Sequence, residues 1–118
     1  MKFPRHLYKK GWEWRAELAA KKISAKEIAG EYLARAKADK TNSFLALMES
    51  DALLAAEAVD AGKVKHALAG LPVGIKDNLV TKGVRTTCAS KILENYHPPY
   101  NATVVEKLHA AGTVPVGK

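Results

Sequence analysis

Apolar positions along the chain follow a helical period up to about residue 61, then give way to short runs separated by turns. Trp12, Ala16, Ala19, Ala20 and Ile23 fall at helical spacing and predict a helix over 7–22. Lys21 and Lys22 sit near its C-terminal end, where the helix dipole favours cations. Ser24 and Glu27 form a capping box, in which serine and glutamate satisfy the first free N–H groups of a second helix. Behind them Ala25, Ile28, Ala29, Tyr32, Leu33 and Ala36 make one apolar stripe. Two short amphipathic helices joined this tightly form a hairpin that must pack on something else. Asn42-Ser43 predicts a turn and Phe44-Leu-Ala-Leu-Met48 a brief strand. Asp51 predicts the start of a third helix, with Ala52, Ala55, Ala56 and Val59 on one face and Gly62 as its stop.

The second half turns on Leu71-Pro-Val-Gly-Ile-Lys-Asp-Asn78. Leu71, Val73 and Ile75 alternate with Pro72, Gly74 and Lys76, so a strand here carries three aliphatics on one face. Gly74 leaves a gap on the face that bears Lys76, and a strand glycine often marks close approach of a ligand or another backbone. A lysine in so apolar a run must be paired, snorkel to water or lose its charge. A surface tip or an ion pair, with Asp77 as one partner, is the structural alternative to a functional lysine. Gly83 fits a turn at 81–84, and 85–90 has no clear period and reads as a loop. Pro98-Pro99 blocks regular structure. Asn101 predicts the cap of a fourth helix with Val104, Val105, Leu108 and Ala111 buried and Gly112 as its end. A strand restarts at 113–116. Strand, connection, helix, strand is the order of an α/β sheet. Too few strands are present to cover both faces of such a sheet, so the chain reads as the front part of a larger α/β domain.

Composition narrows the class. With 118 residues, 47% hydrophobic and 26% charged, this is an ordinary globular sequence of at most one domain. No apolar run approaches the ~20 residues of a membrane-spanning helix. The basic stretch 1–14 lacks the apolar core of a secretory signal. One cysteine, Cys88, rules out an internal disulfide framework and fits a reducing compartment. The net charge of +7 invites a nucleic-acid partner, but the lysines between 9 and 40 are interleaved with Glu13, Glu17, Glu27, Glu31 and Asp39. Solvated helix faces explain that better than a phosphate-binding stripe.

Several motifs fail on context. Gly112 to Lys118 matches the Gly-x4-Gly-Lys spacing of a phosphate loop, yet it follows a helix, and Pro115 removes an N–H that would cradle phosphate. Asn101-Ala-Thr103 is a glycosylation sequon in a sequence with no sign of secretion. Cys88 with His97 or His109 could be a nucleophile and base, but nothing joins them, and a small buried cysteine is the commoner fate. No spacing of His, Cys and carboxylates suggests a metal.

One stretch holds together. Leu68-Ala-Gly-Leu-Pro-Val-Gly-Ile-Lys-Asp-Asn78 resembles the first block of the amidase signature family. The resemblance continues through Thr81-Lys-Gly-Val-Arg-Thr-Thr-Cys-Ala-Ser90, Leu93-Glu-Asn-Tyr96, Pro98-Pro-Tyr-Asn-Ala-Thr-Val-Val-Glu106 and Ala111-Gly-Thr-Val-Pro-Val-Gly-Lys118. It is close over 68–118 and looser over the helices before. Within the family, the Thr-Thr-Cys-Ala-Ser run is most similar to the glutamine-hydrolysing subunits of tRNA-dependent amidotransferases. The resemblance implies an α/β/α fold with a mixed sheet, of which 1–118 would be an incomplete N-terminal portion: 7–61 mainly helical, 68–118 the start of the α/β core. It implies a Ser–cis-Ser–Lys triad in which Lys76 is the general base. Both triad serines would lie beyond the end of this chain, since Ser24, Ser43, Ser50 and Ser90 have no Gly/Ser-rich context. The fragment alone would then be inactive. The B and C subunits of the amidotransferase as partners, glutamine as substrate and Glu-tRNA(Gln) bound through the complex are implied too, as is a bacterial cytoplasm. ATP and magnesium would be used by the partner, and no cofactor by this chain. A stand-alone amidase of the same family and a non-catalytic helical interaction module are the competing readings.

Overall fold

A computed structural model describes residues 9–118. Four α-helices, α1 (Gly11–Ala19), α2 (Ala25–Ala38), α3 (Glu49–Asp60) and α4 (Thr103–Ala110), surround two strands, β1 (Pro72–Gly74) and β2 (Val114–Gly117). The strands are parallel, with Pro72 opposite Val114 and Val73 opposite Pro115, and the register slips so that Gly74 faces Gly117. Leu47 makes an isolated antiparallel bridge to Gly117 on the other side of β2, and the sheet itself is the two parallel strands.

α2 forms as its stripe dictates. The Ser24 hydroxyl accepts from Glu27 N (3.1 Å), and the Glu27 carboxylate accepts from Ser24 N (2.8 Å). The carboxylate of Asp60, the last residue of α3, accepts from Ala25 N and Lys26 N, so α3 ties down two further N–H groups of α2. Ala25, Ala29 and Leu33 of α2 pack with Ala52 and Ala56 of α3 against Val114 and Val116 of β2. The alanines let these layers approach closely. A second cluster, Met48, Ile75 and Val105, lies under the loop that follows β1.

Five expectations are corrected. The helix over 7–22 begins among residues outside the described ones, and its described part is α1. Its buried tryptophan is Trp14, not Trp12, which is 64% exposed. Residues two apart lie on opposite sides of a helix, and the alanines around them do not choose between the faces. Trp14 is chosen by α2: its indole N–H donates to the Tyr32 hydroxyl (3.3 Å). Residues 44–48 form no strand beyond the single bridge at Leu47. Lys118 N donates to Ala46 O and Met48 N to Val116 O, the two bonds that make the bridge, while Leu45 N and Ala46 N share Lys118 O. Asp51 is not a cap: α3 starts at Glu49 with Met48 before it, and Glu49 and Asp51 together face the positive end of its dipole. Asn101 is not one either. Ala102 precedes α4, while the Asn101 side chain accepts from Lys82 N (2.7 Å) and donates to Glu106 (2.9 Å). Val104, expected in the α4 stripe, is 44% exposed.

Candidate active site

Because β1 and β2 are parallel, their carboxyl ends share one edge, and in open α/β sheets that edge is where ligands bind. Lys76 leaves from the end of β1 and Lys118 from the end of β2. Ile75 N donates to Gly117 O (2.9 Å), extending the pairing one residue past β1 and pinning the base of Lys76. Leu79 N then donates to Lys76 O (3.0 Å) and closes a turn.

The alternation expected over 71–77 places the side chains on opposite sides. Ile75 and Asp77 are buried, while Gly74 and Lys76 are exposed. Among the described residues the Lys76 ammonium makes no hydrogen bond or ion pair. Asp77 is therefore not its partner.

Asp77 instead meets Lys118. The Lys118 side chain is fully buried, and its ammonium lies 3.6 Å from Asp77 Oδ1. It donates to Leu79 O (2.8 Å) and to the Thr86 hydroxyl. Asp77 Oδ2 accepts from Thr87 N (3.0 Å) and from the Thr87 hydroxyl. Oδ1 has no hydrogen bond, so the ammonium stabilises it only across the longer gap. Burial pushes the Asp77 carboxyl up, but the two Thr87 bonds and the Lys118 charge outweigh it and hold the group below the ordinary carboxylate range. For Lys118 burial is the largest influence; the attraction of Asp77 offsets it in part, and the ammonium stays below the usual lysine range. The lysine of the phosphate-loop spacing is thus a buried ion-pair partner at a strand end.

A tight strap, 86–90, closes over this pair. Cys88 N donates to Asp77 O (2.9 Å), Ser90 N to Thr87 O (2.9 Å) and Thr86 N to Tyr96 O (3.0 Å). Cys88 and Ala89 both adopt the left-handed region, at φ +50° and +57°. Cys88 is exposed rather than buried, a correction that follows from this backbone. His97 Nδ1 lies 3.1 Å from Asn95 O, so its contact is local rather than with Cys88.

The Asp77–Lys118 pair escaped the sequence reading because its members are 41 positions apart. The available signal was Asp77 itself: opposite Lys76 on a strand it must face inward, and a buried carboxylate needs a cation. A cleft of about 660 Å³ lies elsewhere, between α2 and the β1–β2 face, with Tyr32, Phe44, Val73 and Val116 in its wall. No group of His, Cys, Asp and Glu among the described residues could hold a metal ion. None of the described helices is long and apolar enough to cross a membrane.

Comparison with known proteins gives the frame for this geometry. The family model described as Amidase matches residues 27–118. The chain is 52% identical over 107 residues to the A subunit of the glutamyl-tRNA(Gln) amidotransferase of Limosilactobacillus fermentum, covering 87% of this chain and 22% of that protein. Among solved structures it is similar to a vestigial protein complex that reveals the evolutionary origins of an s-triazine catabolic enzyme, with a TM-score of 0.86 and 32% identity over 92% of this chain and 25% of the other. It is also similar to a solved amidase, with a TM-score of 0.78 and 28% identity over 93% of this chain and 26% of the other. The chain spans about a quarter or less of the relatives it matches.

Proposed function

The chain belongs to the amidase family, and from that premise we propose that it is the N-terminal part of the glutamine-hydrolysing subunit of a glutamyl-tRNA(Gln) amidotransferase. The observation that carries the proposal is Lys76: exposed, without an ion pair among the described residues, and held at the carboxyl edge of two parallel strands. The 52% identity to the A subunit of a named amidotransferase supports the choice of branch within the family.

In this reading the complete protein releases ammonia from glutamine. A serine attacks the side-chain amide to form a glutamyl ester, and water then frees glutamate. A serine hydroxyl is a weak nucleophile until a neighbouring base takes its proton. Lys76, acting through a second serine in cis geometry, is that base, and both serines come from parts of the protein outside these 118 residues. A lysine acts as a base only as the neutral amine. The turn 75–79 supplies the aim, and Asp77, neutralised by Lys118, leaves no unpaired carboxylate beside the base. Ammonia passes to the B subunit, a partner that uses ATP and magnesium to activate the glutamate on Glu-tRNA(Gln), while the small C subunit assists assembly. The 118 residues alone carry one third of the triad and have no activity of their own.

The test is reconstitution. The complete protein should restore glutamine-dependent conversion of Glu-tRNA(Gln) to Gln-tRNA(Gln) when mixed with the B and C subunits. Hydrolysis of small amides with no association to a tRNA-binding partner would favour a stand-alone amidase instead, the alternative that the likeness to a solved amidase keeps in play.

A further inference from the structure

Asp77 is gripped through both its carboxylate and its carbonyl. Its carboxylate takes two hydrogen bonds from Thr87 and faces the Lys118 ammonium, and its carbonyl takes a third from Cys88 N. The grip comes from two separate parts of the chain: the strap at 86–89 and the end of β2. Two consecutive non-glycine residues, Cys88 and Ala89, are held left-handed to make it. Such strain persists only where the surroundings over-determine it, and it clusters where geometry matters to function.

What the grip immobilises is the peptide unit that follows Lys76. Residue 75 is fixed on one side by the bond to Gly117 O, and residue 77 on the other by the clamp. Lys76 between them has its backbone direction set at both ends while its side chain alone faces out. We propose that Asp77, clamped by Thr87 and Lys118, is a positioning residue that sets the direction in which Lys76 leaves the sheet. This inference rests on Lys76 being the base of the proposed hydrolysis. A base must lie within hydrogen-bond reach of the proton it takes, and misplacement of about 1 Å can lower a rate by about 100-fold. Burying the pair next to the base, rather than a simple apolar plug, gives the turn a unique register: only one placement of residue 77 satisfies both Thr87 and Lys118.

The experiment uses the complete protein in complex with its partners, and compares Thr87→Val, Thr87→Ser, Asp77→Asn and Lys76→Ala. Valine keeps the shape of Thr87 and removes its hydroxyl bond to Asp77; serine keeps the bond. Glutamine hydrolysis is measured as kcat and KM, and amidation with free ammonia is measured in parallel as the count of intact complex. Thr87→Val and Asp77→Asn should lower kcat about 10-fold to 100-fold, with KM for glutamine within about twofold of the parent and ammonia-dependent amidation unchanged. Thr87→Ser should return kcat to within about threefold. Should Asp77→Asn fail to assemble, the Thr87 pair decides. If Lys76→Ala abolishes hydrolysis while Thr87→Val leaves kcat untouched, positioning is overturned and the base assignment stands. A fall in ammonia-dependent amidation in step with hydrolysis also overturns it, because the clamp would then be holding the fold rather than the lysine. If Lys76→Ala itself keeps hydrolysis, the base assignment fails and this inference with it.

Discussion

Replacing Gly117 by alanine adds a methyl group at the one point where β2 is paired on both sides. An added Cβ there would lie 2.5 Å from Ala46 O and 2.9 Å from Phe44 Cδ1. The nearer neighbour is backbone, so relief requires the 45–47 segment to retreat by about 0.9 Å, to the 3.4 Å of ordinary contact. That segment is held by Leu45 N and Ala46 N on Lys118 O and by Lys118 N on Ala46 O. Losing or stretching these three bonds, each worth about 0.5–1.5 kcal/mol, gives a local destabilisation of about 2–4 kcal/mol. Amide hydrogen exchange reads it directly: protection at Met48, Ile75 and Lys118 should fall about 30-fold or more, since about 1.4 kcal/mol is tenfold. Gly30→Ala is the control with the opposite sign. Gly30 lies within α2 with nothing inside 4 Å of its added Cβ. Helix propensity alone should stabilise that variant by about 0.8–1 kcal/mol. Exchange in Gly117→Ala within about threefold of the parent would refute the reasoning, because it would mean that segment 45–47 is not packed against β2 as described.

Lys118→Met leaves a buried carboxylate without its cation and should destabilise the turn by about 3–5 kcal/mol, whereas Asp77→Asn with Lys118→Met should recover most of that loss; amide exchange at Leu79 and Cys88 measures both, and equal exchange in the single and double variants would contradict it. The depressed Asp77 carboxyl fixes the sign of an acid effect: its stabilisation is complete above the unfolded value of ~3.9 and is lost as pH falls through the lower folded value. Acid unfolding followed by circular dichroism should therefore have a shallower slope with pH in that window for Asp77→Asn than for the parent. As an isolated object the chain should melt broadly and self-associate, because Leu54 and Ile92 are 66% and 92% exposed and the outer edge of β1 has no partner strand among the described residues. Sedimentation against concentration checks this, and a sharp transition from a monomer would oppose it.

Where one signal dominated, the sequence was legible. The Ser24–Glu27 box and the stripe behind it give α2 almost residue for residue, and Gly62, Gly83 and Gly112 take the positive φ that their turns need. Alternation around Lys76 put it on the face opposite Leu71, Val73 and Ile75, and the structure leaves it exposed while Ile75 is buried. Legibility failed where local patterns were symmetric or satisfied from afar. Trp12 and Trp14 are equivalent until Tyr32 of another helix selects one. Asn101 has the chemistry of a cap, but Lys82 N and Glu106 claim its side chain. Lys118 carried a misleading motif, and its true partner is set by the parallel pairing of two strands distant in sequence.

The central claim is that Lys76 serves glutamine hydrolysis and nothing else in the complex. The measurement is amidation of Glu-tRNA(Gln) by the assembled Lys76→Ala complex, with glutamine and with free ammonia as the nitrogen source. Glutamine-dependent amidation should be abolished and ammonia-dependent amidation retained. Lys76→Arg should behave the same way, since arginine stays charged near neutral pH. Equal loss of both activities would make the lysine structural, and retention of both would make it a bystander; either result contradicts the account.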